Sequence, residues 1–567
     1  MSRLRLVRIG FFAVGLLLVA QLFRVQVLSH DFYAALAEGQ HDLFQHLFPE
    51  RGKIYARDHQ SGDQTFLLAT NRTLNLLYAE PFRIKNPINE ARALAPILGV
   101  EAAELEAKIS SPTERYRVLG RKLDDETREK IEALKLEGIG FSKEDFRYYP
   151  EGSAGAQMLG FVGENDKGKS GRYGIEGWFD KDLAGAQGYL QSEKDSRGRV
   201  IAVGNRTLQP AKDGDDVVLT VDRTVQYVAC KKLEEWVTRF GAAKGSLAII
   251  EPKTGAIIAL CNAPTFDPNE YNKIDSIDVY NDTAIFEPYE PGSVFKAFTM
   301  AAGLDTGKIT PTSTFDDPGE IKIGPFTIRN SDLKAHGLVD MTTVLAESLN
   351  TGLVDVVHRV GAASFLSYVR DFGFGQKSGV ELHSESAGNI DPLTQKGDIW
   401  SATGSFGQGI TVTVLQLAMA YGAIANDGTL MKPYVVDEIR HADGSVETRG
   451  PKIVRRVISE RAAQLLSGML VATVEKGHGK RAGVPGYWIG GKTGTAQIPR
   501  KEGGGYEVGA TIGTFAGFGP VDDPKFAMVV RVDRPEGVQF AESSAAPLFG
   551  DIAKFLMNYY RIPPTRN

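Results

Sequence analysis

Glu290-Pro291-Gly292-Ser293-Val294-Phe295-Lys296, followed by the apolar run Ala297-Phe298-Thr299-Met300-Ala301-Ala302, is the stretch around which this 567-residue chain is organised. Pro291 and Gly292 mark a turn, and the residues after them favour helix until Asp305-Thr306-Gly307, so Ser293 is expected at or just inside a helix N-terminus. Lys296 then lies one turn further along the same face. A free hydroxyl is too weakly acidic to attack a carbonyl without a local base, and this spacing sets an amine beside it. Free backbone N–H groups and the helix dipole favour an oxyanion at the same spot. Alone, Ser-x-x-Lys is a common pattern of solvated helix faces; two later stretches give it weight.

The length calls for two or three domains, and 42% hydrophobic with 24% charged residues is the make-up of ordinary globular protein. A net charge of -5 offers no basic patch for nucleic acid. The two cysteines, Cys230 and Cys261, fall in segments that read as a helix and a strand end. Neither a zinc spacing nor a disulfide framework is expected from them. The nine histidines show no ligand-like spacing, and His336 and His358 read as surface or packing residues, so neither metal chemistry nor a Ser-His-Asp triad is expected.

Arg3, Arg5 and Arg8 precede an apolar stretch from Ile9 to Leu28, about the length that spans a bilayer. Gln21, Arg24 and Gln26 lie towards its far end, where long polar side chains reach the interface. The arginines place the N-terminus in the cytoplasm and the rest outside. A cleaved signal peptide is the rival, since Ala35-Leu36-Ala37 has the small-x-small form, but it lies well beyond the apolar core. An uncleaved single-pass anchor over residues 1–28 is therefore the expectation.

Residues 29–214 alternate short apolar runs with charged helices, and read as a non-catalytic pedestal of extended, mixed α/β character. Arg147-Tyr148-Tyr149-Pro150, Leu159-Gly160-Phe161-Val162-Gly163 and Gly174-Ile175-Glu176 read as glycine turns and buried ion pairs. Near Gly214 the texture changes. Val217–Val221 reads as a strand, Asp222 as an N-cap, and Val225, Val228, Ala229, Leu233, Trp236, Val237 and Phe240 as one helical face. Residues 245–250 and 255–261 read as a hairpin, 511–518 and 526–532 as a second strand pair, and 547–560 as a closing helix. Strands at both ends with helices between give an α+β domain over residues 215–567: an antiparallel sheet assembled from distant segments and flanked by helices.

Within the helical middle lies Ala346-Glu347-Ser348-Leu349-Asn350-Thr351-Gly352, and beyond it Ile489-Gly490-Gly491-Lys492-Thr493-Gly494-Thr495. A lone Ser-x-Asn usually caps or turns a helix. In the order Ser-x-x-Lys, Ser-x-Asn, Lys-Thr-Gly, the three match the signature of serine acyl-transfer enzymes acting on penicillin and on D-Ala-D-Ala peptides. Here the chain resembles the class B penicillin-binding proteins. The likeness extends to the anchor, Arg51-Gly52, Gly174-Ile175-Glu176, Asn262–Asn269, Gly407-Gln408-Gly409 and Tyr421–Gly428. Glu290 before Pro291-Gly292-Ser293 resembles the division-specific septal branch more than the elongation branch. Ala56, where the family usually has Asp, and Gln157, where His is common, depart from the pattern inside the pedestal.

The resemblance implies that Ser293 attacks the carbonyl of the penultimate D-Ala and that Lys296, its pKa lowered by burial and by a cationic Lys492, takes the proton. It implies that Ser348 relays the proton to the leaving amine and that Asn350 bonds Lys296 and the donor amide. Lys492 would meet the terminal carboxylate with Thr493 and Thr495 as hydroxyl donors, and Gly494 would belong with them to the substrate-binding set. The backbone N–H groups of Ser293 and Thr495 would form the oxyanion hole. An acceptor amine then resolves the acyl-enzyme. No cofactor or metal is implied. Partners implied are peptidoglycan stem peptides on a lipid-linked precursor, β-lactams, and a polytopic glycosyltransferase with other division or elongation proteins, at the bacterial cytoplasmic membrane.

Three rivals carry different expectations. Gly486-Tyr487-Trp488-Ile489-Gly490-Gly491-Lys492-Thr493 fits the P-loop spacing, which demands a strand before it and a helix immediately after, at a place where ATP is available. A β-lactamase or penicillin sensor needs a group that activates water, and none is assignable. A division scaffold would retain the site without using it. The glycines around Lys501-Glu502-Gly503-Gly504-Gly505 read as a flexible loop.

Overall fold

The computed structural model describes residues 42–47, 49–165, 168–193, 206–500 and 503–566. The apolar run 9–28 lies outside them; among the described residues no helix is long and apolar enough to cross a membrane. Two compact units are present. The first, Met1–Gly52 with Ala184–Asp215, holds a three-stranded antiparallel sheet in which Gly188–Glu193 pairs with Asp42–Leu47 on one side and Arg206–Gln209 on the other.

The second unit joins Lys53–Leu183 to Asp216–Asn567. Its first sheet contains β1 (Ile54–Arg57), β2 (Thr65–Ala79), β3 (Arg117–Leu123), β4 (Ile139–Tyr148) and β5 (Asp216–Asp222), with Val436–Arg440 and Val446–Thr448 extending it beyond β5. β5 runs parallel to β1, so segments distant in sequence share one ladder. Leu77, Leu94, Leu105, Leu119 and Ile131 form a separate small core under the far end of β2. The ion pair expected from the glycine-rich motifs is present: Arg147 Nε donates to Glu176 Oε1 at 2.6 Å, with both side chains almost wholly buried. Tyr149 donates to the same oxygen at 3.3 Å, and Arg147 Nη1 to Asn71 Oδ1 at 3.1 Å.

Asp222 caps α1 (Arg223–Arg239), its carboxylate accepting from the Val225 N–H. The second sheet follows, with β6 (Lys244–Ile250), β7 (Ile257–Ala263), β8 (Gly490–Pro499), β9 (Tyr506–Gly519) and β10 (Phe526–Asp533) in the antiparallel order β7-β6-β10-β9-β8. Its strands are apolar on both faces, and alternation sorts the side chains. Leu247, Ile249, Phe515, Met528 and Val530 meet α1 and the closing helix, while Ala248, Ile250, Phe518, Ala527 and Val529 face the helical middle. That middle is built on α2 (Lys296–Asp305), α3 (Asn350–Val360), α4 (Val414–Ala425) and α5 (Glu460–Glu475), and the closing helix is α6 (Ala545–Tyr559). Every residue of α4 is buried, which explains why it is apolar on every side but for Gln416, whose amide donates to the Gln376 and Ala387 carbonyls.

The cysteines correct the sequence expectation. Cys230 on α1 and Cys261 on β7 form a disulfide, their Cα atoms 5.0 Å apart. Packing of α1 across the hairpin brings them together, and a separation of 31 residues carries no local mark of it. Gln226 seals the same seam, donating to the Leu260 carbonyl at 2.5 Å and accepting from the Leu260 N–H at 2.9 Å.

Candidate active site

Gly292–Phe295 forms a single 3-10 turn that runs directly into α2, so Ser293 sits at the head of a helix and Lys296 at its first full turn. Three approaches fix this turn. Gly292 has φ +56, a conformation L side chains avoid, and its N–H donates to the Gly407 carbonyl at 3.1 Å. A Cβ on Gly407 would meet the Gly292 carbonyl oxygen at 2.2 Å, so the Gly407-Gln408-Gly409 loop can lie there only as glycine. Tyr421, wholly buried on α4, donates to the Val294 carbonyl at 2.8 Å.

β8 is the edge strand of its sheet and passes in front of this turn. A Cβ on Gly494 would lie 2.8 Å from the Pro291 carbonyl oxygen and 3.0 Å from the Val294 nitrogen, so the missing side chain is what lets the strand reach the serine turn. Behind β8, the Thr473 hydroxyl on α5 donates to the Gly491 carbonyl. Thr495 Oγ1 accepts from the Ala541 N–H at 3.0 Å, tying β8 to the loop before α6.

The Ser-x-Asn stretch bridges two helices. Ser348 takes φ +59, rare for a residue with a side chain, and Leu349 precedes the first residue of α3, Asn350. The left-handed turn aims both oxygens of Ser348 at one amine. Lys296 Nζ donates to the Ser348 carbonyl at 2.6 Å, meets Ser348 Oγ at 3.1 Å and donates to Asn350 Oδ1 at 2.7 Å. Lys296 is wholly buried; burial first, then the charge of Lys492, depresses its pKa well below the ordinary lysine value. Lys492 is 1% exposed, and burial brings it down to about 7, against the opposing pull of the Glu347 carboxylate. Its Nζ lies 3.1 Å from the Thr493 carbonyl and 3.3 Å from Thr493 Oγ1.

The structure thus gathers Ser293, Lys296, Ser348, Asn350, Lys492, Thr493, Gly494 and Thr495 at the meeting of α2, α3 and β8. Two lysines with depressed pKa and a hydroxyl at a helix head supply a neutral amine able to accept a proton, a cationic point for a carboxylate, and backbone N–H groups for an oxyanion. The P-loop rival fails on topology: Lys492 and Thr493 lie inside a ten-residue strand, where a phosphate loop requires a helix start.

Comparison with known proteins agrees. The model of the penicillin-binding protein transpeptidase domain matches residues 245–554, and that of the penicillin-binding protein dimerisation domain matches residues 46–219. The chain belongs to the class B penicillin-binding proteins. It is 33% identical to stage V sporulation protein D of Bacillus subtilis, over all of this chain and 87% of that one. It is 30% identical to a probable peptidoglycan D,D-transpeptidase of Pseudomonas aeruginosa, over 98% of this chain and 94% of the other. Among solved structures, penicillin-binding protein 3 of Mycobacterium tuberculosis, complexed with aztreonam, superposes with a TM-score of 0.70 at 29% identity, covering 92% of this chain and 99% of that one.

Within this penicillin-binding protein, some contacts around the site carry no mark in the sequence. Glu290 accepts from the Gly409 N–H at 3.1 Å and from the Tyr506 hydroxyl at 3.2 Å, closing the turn against β9. Burial raises its pKa, with both donors opposing. Asp317, Asn330 and Thr351 form a buried polar knot beside Asn350. None of these contacts follows from spacing, because each joins loops that only the packed domain brings together.

Proposed function

We propose that this protein is a serine-type peptidoglycan D,D-transpeptidase that cross-links cell wall at the division septum. The observation that carries the reading is Lys296, buried and pKa-depressed, donating at once to the oxygens of Ser348 and Asn350. Ser293 Oγ attacks the carbonyl of the penultimate D-Ala as its proton passes to Lys296. The N–H groups of Ser293 and Thr495 hold the oxyanion. Collapse breaks the peptide bond, and Ser348 relays the proton from Lys296 to the departing D-Ala amine. Lys492, with Thr493 and Thr495 beside it, holds the terminal carboxylate, while Asn350 also receives the donor amide. The acyl-enzyme then passes its acyl group to the amine of a second stem peptide, whose proton leaves by the same relay.

In this reading residues 1–28 anchor the chain in the cytoplasmic membrane by a single span, residues 29–214 form the pedestal, and residues 215–567 do the chemistry outside the cytoplasm. A polytopic glycosyltransferase supplies the strands, and the substrate arrives on a lipid-linked precursor. Glu290 at the head of the serine motif supports the septal branch over the elongation branch.

Mass spectrometry of the penicillin-treated protein tests the chemistry: the adduct is expected on the peptide carrying Ser293 and to be lost in Ser293→Ala. Attachment to another residue would overturn the assignment. A long-lived adduct separates a transpeptidase from a β-lactamase, which would turn over in seconds. Normal growth of cells carrying only Ser293→Ala would instead favour a scaffold.

A further inference from the structure

Asn350 has to present its carbonyl oxygen, and not its amide nitrogen, to Lys296. The two ends of that amide differ by one hydrogen-bond partner: Nδ2 donates to the Arg329 carbonyl at 2.7 Å, which leaves Oδ1 as the acceptor for Lys296 Nζ. The position of the Arg329 carbonyl therefore decides which atom meets the amine. Arg329 ends the strand Phe326–Arg329, and its neighbour Asn330, 1% exposed, is held by a carboxylate.

That carboxylate is Asp317, also 1% exposed. It accepts four hydrogen bonds: from Thr351 Oγ1 at 2.5 Å, Asn330 Nδ2 at 2.8 Å, the His336 N–H at 3.0 Å and the Gly319 N–H at 3.1 Å. Burial alone would raise its pKa, but these donors outweigh it and hold the carboxyl below its ordinary value. Asn330 is equally committed, its Nδ2 also donating to the Lys334 carbonyl at 3.1 Å and its Oδ1 accepting from the Thr351 N–H at 3.3 Å. That last bond satisfies one of the free N–H groups at the start of α3, where Leu349 has no side-chain oxygen to cap the helix. A buried anion at a helix N-terminus is favoured by the dipole as well.

We propose that Asp317, acting through Asn330 and Thr351, is a positioning residue for acyl transfer: it sets the start of α3 and the Arg329 carbonyl, and so the face that Asn350 turns to Lys296. Asp317 touches neither substrate nor the reacting atoms. The inference rests on the acyl-transfer reading above. A knot of this kind costs little in a rigid fold, because every polar atom in it is paired.

The test measures penicillin acylation against pH in wild type, Asp317→Asn, Thr351→Val and Thr351→Ser, with the non-covalent dissociation constant and the first-order acylation rate resolved separately. Asp317→Asn and Thr351→Val are expected to slow the acylation step on the order of 10- to 100-fold, with binding little changed and the acid limb of the pH profile displaced, since Lys296 loses a fixed acceptor. Thr351→Ser, which keeps the hydroxyl, is expected to restore the rate. A merely structural role would lower Tm and leave the rate and pH profile of the folded protein as in wild type, and that result overturns the inference. Should Asp317→Asn not fold, the Thr351→Val and Thr351→Ser pair decides the matter alone. Failure of wild type to acylate at Ser293 would instead overturn the acyl-transfer reading and this inference with it, whereas normal acylation in all three variants overturns this inference only.

Discussion

Gly494 lies so close to Pro291 that any side chain at 494 would press on the Pro291 carbonyl oxygen, 2.8 Å from the position of a Cβ. The glycine of the Lys-Thr-Gly stretch is therefore required by space, since the strand around it is regular β structure. It stands where the edge strand of the sheet passes the turn that carries Ser293.

Gly494→Ala should push β8 away from Ser293. A displacement of about 1 Å at reacting groups costs on the order of 100-fold in rate. Stopped-flow acylation with a fluorescent penicillin is expected to show that loss, while circular dichroism at low temperature matches wild type.

The two lysines predict a bell-shaped pH dependence. In the proposed mechanism acylation needs Lys296 neutral and Lys492 charged, so the rate of the free enzyme with substrate should rise as Lys296 loses its proton and fall as Lys492 loses its own, from about pH 7 upward. Lys492→Arg keeps a permanent charge. It is expected to remove the alkaline limb of kcat/KM even where the maximal rate is reduced.

Lys492 also bears on stability. Between its folded value of about 7 and the ordinary 10.5, the folded protein binds fewer protons than the unfolded chain. Stability is therefore expected to rise with pH across that window and to be lowest below it. Lys492→Met removes the buried charge and should raise Tm at pH 6 by roughly 1 °C for each kcal/mol regained in a unit of this size, while abolishing penicillin acylation. Calorimetry of both proteins at pH 6 and pH 9 checks this, with the gap narrowing at the higher pH.

The Cys230–Cys261 bridge closes a loop of 31 residues between α1 and β7. Loop-closure entropy puts its contribution at about 3–4 kcal/mol. The double variant Cys230→Ala with Cys261→Ala is expected to unfold at a lower urea concentration by that free energy, and dithiothreitol should lower the wild type to nearly the same midpoint.

Glu176→Ala strips the partner from a buried Arg147. Removing one member of a buried pair costs roughly 3–5 kcal/mol. Urea unfolding should show the loss, and the fraction that remains folded is expected to acylate at the wild-type rate.

Much of this is legible in the sequence itself. The N-cap at Asp222 follows from local pattern and is found in α1; of the face read as Val225, Val228, Ala229, Leu233, Trp236, Val237 and Phe240, the structure buries Val225, Ala229, Leu233 and Val237 and leaves Val228, Trp236 and Phe240 half-buried. Four strands of the second sheet, β6, β7, β9 and β10, are legible because alternation and apolar runs are set within a few residues, whereas β8, rich in glycine and threonine, is not. The cysteine pair was misread for the opposite reason: the contact between α1 and β7 is a tertiary event with no local signature. The polar knot of Asp317, Asn330 and Thr351 was invisible too, since an Asp, an Asn and a Thr scattered over 34 positions look like turn residues.

The sequence by itself determined which chemistry is on offer: a hydroxyl and an amine one helical turn apart, and the Ser-x-Asn and Lys-Thr-Gly stretches that complete the set. Tertiary structure decided that these groups meet at one place, that Lys296 and Lys492 are buried deeply enough to lose their ordinary basicity, and that Asn350 turns its oxygen inward. Spacing along a chain fixes only what lies within a turn or a strand. Burial, and the proton affinities that follow from it, belong to the packed domain, where the dielectric surroundings of each group are set by residues hundreds of positions away.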